Sequence, residues 1–209
     1  DFPSIEGKKE LVTFTIAQQD LRAIIQRTQF AMAQNDVRYY LNGLLLEVTS
    51  NHIKTVATDG HRLALNCVDA TIDLDNRLQV IVPRKAAVEL SRLLADSEET
   101  IEVTLGGNYI KVIHPTFSFT SKLIEGRFPD YDRVIPKANT KEIVVDRGLL
   151  KEALTRTAIL CNQKNKSVKF EIRDQLIRML ANNHEHELAE ETIKIIYSGE
   201  PLDICFNIS

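Results

Sequence analysis

Twice along this chain a strand-like alternation passes directly into a helical period. In residues 11–16 apolar and polar side chains alternate with period two, the pattern of a strand with one buried face. From Leu21 the spacing changes. Leu21, Ile24, Ile25, Thr28 and Met32 fall on one helical face, with Gln18, Arg22, Gln26 and Gln29 on the other. Asp20 stands in the first turn, where a carboxylate suits the helix dipole, and Asn35-Asp36 ends the segment. The same switch recurs at 142–146, a strand pattern followed by Leu149, Leu150, Ala153, Leu154, Thr157 and Leu160 at helical spacing. Helices and strands must therefore share a core, and the fold class is α+β.

Between these two switches the chain is mostly strand. Alternation runs through 39–48 and 52–57, interrupted by Thr49-Ser50-Asn51, and resumes over 62–68. Thr58-Asp59-Gly60-His61 reads as a tight hairpin turn, because Asp bonds its own backbone and Gly accepts a positive φ. Its tip gathers Asp59, His61 and Arg62, which is either a binding surface or a polar turn that happens to carry charge. Residues 79–82 make a short strand and Pro83 supplies the first position of a second helix. Ala87, Leu90, Leu93 and Leu94 carry that helix towards Asp96. A hairpin over 102–113, a strand over 116–123 and a proline-containing connection over 126–137 complete a domain of residues 1–137.

Residues 138–209 then repeat the order of elements, with Leu21 to Thr28 matching Leu150 to Thr157 and strands at 168–172, 176–181, 189–197 and 202–208. No second helix or final hairpin follows, so the chain reads as one and a half repeats. A sheet without its covering helix leaves an apolar face and open edges, so the second unit is expected to be the less stable, or to be completed by another chain.

The remaining signals restrict function. Residues 1–10 read as a polar linker with neither the basic start nor the apolar core of a signal peptide, and no apolar run is long enough to span a membrane. Cys67, Cys161 and Cys205 are odd in number and widely spaced, which suits a reducing compartment better than a zinc site or disulfide framework. Asp59 with His61 has the look of half a general-base pair, and His184 with His186 would share one face of a strand as metal ligands do. No nucleophile elbow, phosphate loop, dinucleotide fingerprint or H-E-x-x-H accompanies them, and catalysis is rejected. The formal net charge of −3 argues against tight DNA binding through many phosphates. Any DNA contact must be loose and made by a locally basic face.

The word Ala-Thr-Asp-Gly-His-Arg-Leu-Ala at 57–64 resembles a signature of the bacterial β sliding clamp family, the processivity subunits of DNA polymerase III. Two further stretches agree in order: Asp-Val-Arg-Tyr-Tyr-Leu-Asn-Gly at 36–43, and Phe-Thr-Ser-Lys-Leu at 119–123 running into Gly-Arg-Phe-Pro-Asp-Tyr at 126–131. The resemblance implies a DNA-clamp fold, with the family's middle domain complete and roughly the first half of its third. In that family two chains close a ring of six domains around double-stranded DNA, with helices facing the DNA and sheets outside. This chain, lacking the first domain, is not expected to close a ring by itself.

The resemblance also implies site residues. Helices at about 17–33, 83–96 and 149–161 would face DNA, with Arg22, Gln26, Gln29, Lys85 and Arg92 making loose phosphate contacts and Tyr39 and Tyr40 nearby. Few cations per helix suits sliding, since each strong contact deepens the well a moving protein must leave. The polymerase III alpha subunit, the clamp loader and repair proteins would insert a Gln-Leu-x-Leu-Phe-like peptide into a cleft. Its matching residues are Leu41, Thr58, Gly60, His61, Arg62, Leu63, Pro129, Arg133 and Val134, apolar walls with a polar rim. The family's cleft also uses the extreme C-terminus, which this sequence does not include. No cofactor or metal is implied, and the location would be the cytoplasm. The competing reading is an interaction module that uses the hairpin groove without touching DNA.

Overall fold

The computed structural model describes residues 10–161, 166–183 and 187–208. They divide into two units, the first ending at Asp130 and the second beginning at Tyr131. The sequence placed the change of domain at 137, within the segment that follows a 3-10 turn at Tyr131–Arg133.

In the first unit the alternation of β1 (Glu10–Ala17) buries Val12, Phe14 and Ile16. β1 passes without a loop into α1 (Gln18–Gln26), which buries Leu21, Ile24 and Ile25, and also Gln18, expected on the polar face, whose side-chain oxygen accepts from Ala95 N at 3.1 Å. No side chain caps α1. The N–H groups of Gln18 and Gln19 donate instead to Glu99 O and Ser97 O, at 2.9 and 3.0 Å.

The helix expected over 17–33 stops at Gln26. Thr28 departs from helical geometry (φ −123°), and its buried Oγ1 lies 2.7 Å from Ile24 O and 3.1 Å from Thr55 Oγ1. Thr55 in turn donates to Ile24 O at 2.7 Å. Two hydroxyls thus meet the end of the helix, and residues Gln29–Ala31 form a separate 3-10 turn.

Residues Tyr39–Leu41, expected as strand, also form a 3-10 turn. The Asn42 side chain clamps the loop before it, accepting from Asp36 N and donating to Asp36 O, both at 2.9 Å. The strand begins only at β2 (Gly43–Val48). At Gly43 a Cβ would stand 2.7 Å from Val82 O, so the close approach of the neighbouring strand requires glycine.

β2 is followed by β3 (His52–Thr58), β4 (Leu63–Asp69) and β5 (Leu78–Pro83), an antiparallel sheet in the order β4-β3-β2-β5. Pro83 ends β5 and stands at the N-cap of α2 (Arg84–Leu93), one position earlier than the sequence suggested. β6 (Thr100–Gly106), β7 (Tyr109–His114) and β8 (Phe117–Lys122) join β1 in a second sheet, order β1-β6-β7-β8. The inner faces of both sheets and the apolar faces of α1 and α2 meet in one core, with Leu21, Leu46, Leu90 and Val103 among its members.

The second unit starts differently. The strand expected over 142–146 reduces to a single bridge between Val144 and Ile196, because no full strand lies beside it among the described residues. Asp146 caps α3 (Arg147–Thr157), its Oδ1 accepting from Leu149 N at 2.8 Å. Helix geometry ends at Thr157, and Ala158–Leu160 is a 3-10 turn. β9 (Ser167–Arg173), β10 (Leu176–Asn182), β11 (Leu188–Lys194) and β12 (Leu202–Asn207) form a sheet in the order β11-β10-β9-β12. Its inner face packs Val168, Ile172, Ile177 and Met179 against Ala153. The α+β reading holds in both units.

Candidate functional site

The hairpin between β3 and β4 carries a dense set of side-chain bonds at its tip. Thr58 and Leu63 are its last paired residues. Thr58 Oγ1 donates to Arg62 O at 2.8 Å and accepts from Gly60 N at 3.1 Å. Gly60 has φ 90°, which an L side chain rarely adopts, and a Cβ there would lie 3.2 Å from the Arg38 guanidinium. Asp59 Oδ1 accepts from both His61 N (3.0 Å) and Arg62 N (3.1 Å), while Oδ2 pairs with Arg62 Nε at 3.2 Å. Arg62 Nη2 donates to Phe30 O at 3.0 Å, and its guanidinium carbon sits 5.6 Å from the centre of the Phe30 ring.

A second arm reaches the same tip. Arg38 forms a forked pair with Asp36, Nε to Oδ1 at 3.0 Å and Nη2 to Oδ2 at 2.8 Å. Its Nη2 also donates to Asp59 O at 3.5 Å. The Arg38 guanidinium holds the Asp36 carboxyl down to about 2. At Asp59 burial pushes the carboxyl up, but the two backbone N–H groups and Arg62 outweigh it and hold it below its usual range. A carboxylate with both oxygens engaged and a lowered pKa is a poor general base, so this geometry lends no support to Asp59 as half of a catalytic pair. His184 and His186 lie outside the described residues.

Of the groove residues expected from sequence, Thr58, Gly60, His61, Arg62 and Leu63 come together at this tip. Leu41 belongs to the turn that Arg38 opens, with Leu41 N donating to Arg38 O at 2.8 Å. It is only 2 % exposed, so its side chain is buried and not the exposed wall that the sequence suggested. Pro129 is exposed near the end of the first unit. Arg133 and Val134 belong to the second unit and are exposed, Val134 at 64 %. Sequence reasoning left out Asp36, Arg38 and Phe30. The first two sat inside the quoted 36–43 word, where an acid and a base two residues apart were the available signal. Nothing in the sequence pointed to Phe30, whose contribution is a backbone carbonyl and a ring face.

The expected DNA-facing residues divide. Gln26 and Lys85 are exposed on α1 and α2, and Arg22 is half-buried with its Nε enclosed and unbonded. Gln29 is not on the helix. It sits in the 3-10 turn, half-buried, and accepts from Ser91 Oγ at 3.4 Å. Arg92 is exposed but paired with Glu89 at 3.0 Å, which reduces its charge for a distant phosphate. Tyr39 is exposed and meets the half-buried Tyr40 edge to face, ring centres 5.8 Å apart.

Comparison with known proteins gives a consistent picture. The family profile described as DNA polymerase III beta subunit, central domain, matches residues 15–130. The one described as DNA polymerase III beta subunit, C-terminal domain, matches residues 132–209. The chain is similar to the beta sliding clamp of Pseudomonas aeruginosa, 49% identical over 209 residues, and to that of Escherichia coli, 44% identical. In both cases the whole chain aligns with 57% of the relative's length. A crystal structure of the DNA polymerase III subunit beta from Pseudomonas aeruginosa superposes with TM-score 0.96 at 48% identity, covering 100% of this chain and 57% of the other. A sliding clamp from Bartonella birtlesii bound to griselimycin matches with TM-score 0.90 at 34% identity, again over 100% of this chain and 57% of that one.

Proposed function

The chain belongs to the DNA polymerase III beta subunit family, and we propose that it serves as part of a replicative sliding clamp. In the whole protein two copies would encircle duplex DNA as a ring and tether the polymerase by topology. The part present here would supply helices towards the DNA and, at the β3–β4 hairpin tip, a docking site for short peptides of the polymerase, clamp loader and repair proteins. The role is non-catalytic, since Asp59, the best-placed carboxylate of the tip, is consumed by its own turn. A cytoplasmic location fits replication, and no helix among the described residues is long and apolar enough to cross a membrane.

The observation that carries this reading is the likeness to the Pseudomonas aeruginosa clamp across every residue of the chain. The griselimycin complexes of two relatives support a ligand-accepting surface on this scaffold.

The test is a fluorescence-polarisation titration of a labelled Gln-Leu-x-Leu-Phe peptide. The control is a His61→Ala, Pro129→Ala variant, chosen because both residues are exposed. Leu41→Asp is unsuitable, since a charge at a 2 % exposed site would unfold the turn. Saturable binding, weakened about tenfold or more in the variant, is expected. A folded chain that binds wild-type and variant alike has no docking site of this kind.

A further inference from the structure

Asp59 is missing from the set of groove residues carried over by resemblance, yet its carboxylate grips Arg62 at both ends. One oxygen accepts from the Arg62 backbone N–H at 3.1 Å and the other from its side-chain Nε at 3.2 Å. The Arg62 side chain is 49 % exposed, and an exposed arginine held only by solvent would sample many rotamers. Here Nε is bonded to Asp59, one N–H of Nη2 to Phe30 O, and the ring of Phe30 lies beneath. Among the described residues no acceptor is paired with Nη1. The guanidinium is thus oriented in advance with one donor edge open.

We propose that Asp59 is a positioning residue for partner docking: acting through Arg62, it presents Nη1 to an acceptor oxygen on the bound peptide. The inference rests on the docking reading above. Arg38 supports it from behind, by its bond to Asp59 O and its packing over Gly60. Pre-orientation matters because ordering a long side chain on binding costs free energy that a pre-set side chain does not lose.

The experiment is a double-mutant cycle on the full chain with the same labelled peptide: wild type, Asp59→Asn, Arg62→Ala, and both together. Asn keeps an oxygen for the two backbone N–H groups but replaces the acceptor of Arg62 Nε with an amide. Asp59→Asn is expected to weaken binding about tenfold alone and to add nothing in the Arg62→Ala background. A purely structural role for Asp59 would cost affinity equally in both backgrounds, and that result overturns the inference. So does full affinity in Asp59→Asn. Arg62→Lys is a second arm that leaves the turn intact: it keeps the charge but not the fork, and wild-type affinity there overturns the inference too. If neither Arg62 variant changes binding while His61→Ala, Pro129→Ala does, the docking reading stands and this inference falls. If folded wild-type chain shows no saturable binding, both fall.

Discussion

The sheet β4-β3-β2-β5 of the first unit and the sheet β11-β10-β9-β12 of the second are the same construction in different surroundings. In each, the first strand of the set pairs antiparallel with the second and the fourth, Gly43 opposite Pro83 in one and Ser167 opposite Asn207 in the other. The likeness reaches side chains. Thr28 Oγ1 lies 2.7 Å from Ile24 O and Thr157 Oγ1 donates to Ala153 O at 2.8 Å, a buried threonine at the end of each helix. A cross-strand ion pair, Glu47 with Lys54 (3.5 Å), recurs as Glu171 with Arg178 (3.3 Å).

The surroundings differ on both faces. In the first unit α2 packs on α1, β2, β5 and the 29–31 turn. In the second, the corresponding elements line an open groove of about 660 Å³, walled by Leu150, Leu154, Val168, Phe170 and Phe206. On the other face the first sheet buries Leu45, Val56 and Ile81, whereas the second carries a charge ladder running Glu190, Arg178, Glu171, Lys169, Asp203 and Arg173. Strand pairing is therefore indifferent to what covers the sheet. Stability is not, because it scales with apolar area removed from water.

The largest expected effect is in amide exchange. Amides of β2 and β3 are expected to exchange more slowly than those of β9 and β10 by roughly a hundredfold or more, since units with fewer buried contacts open at lower free energy. Equal protection of the two sheets would break the comparison.

Leucine truncations sharpen it. Leu90→Ala on α2, at a site 1 % exposed, is expected to cost about 2–5 kcal/mol in denaturant unfolding of the first unit. Leu154→Ala on α3, half-buried on the rim of the open groove, is expected to cost about 1 kcal/mol or less. Equal costs would mean that the groove is closed in solution.

The smallest effect is acid sensitivity. Side-chain hydrogen bonds to Arg178, Arg156, Lys169 and Arg173 hold Glu190, Glu191, Glu171 and Asp203 below their usual range. A carboxyl whose pKa is lower folded than unfolded stabilises above its unfolded value and loses that contribution as pH falls through the folded one. Exchange protection of β9 to β12 should therefore start to fall below about pH 4.5, the unfolded value for Glu. Asp36 in the first unit, held at about 2, keeps its charge to lower pH. These pairs are exposed, so added salt should shrink the difference.

Much of this was legible in the chain. Each period switch marked a helix entry, and the Asp-Gly turn at 59–60 was visible as residue chemistry. Matching Leu21–Thr28 with Leu150–Thr157 already paired the two threonines that the structure shows in equivalent bonds. Residues 58 and 60–63, proposed for docking, were named from the family resemblance, and the structure keeps them together at one hairpin tip because they are nearly contiguous. The misplaced ends all depend on distant partners. Thr28 finds Thr55, 27 residues away, and α1 stops. Gln29 finds Ser91, 62 residues away, and leaves the helical face.

By itself, then, the sequence determined the α+β class, the repeat and the hairpin, because periodicity and turn preference are properties of a few adjacent residues. Only the tertiary structure decided where α1 ends, that 142–146 makes one bridge in place of a strand, and that Arg62 is held between Asp59 and Phe30. A helix end, a strand and a fixed guanidinium each need a partner. The chain supplies that partner only after it has folded back on itself.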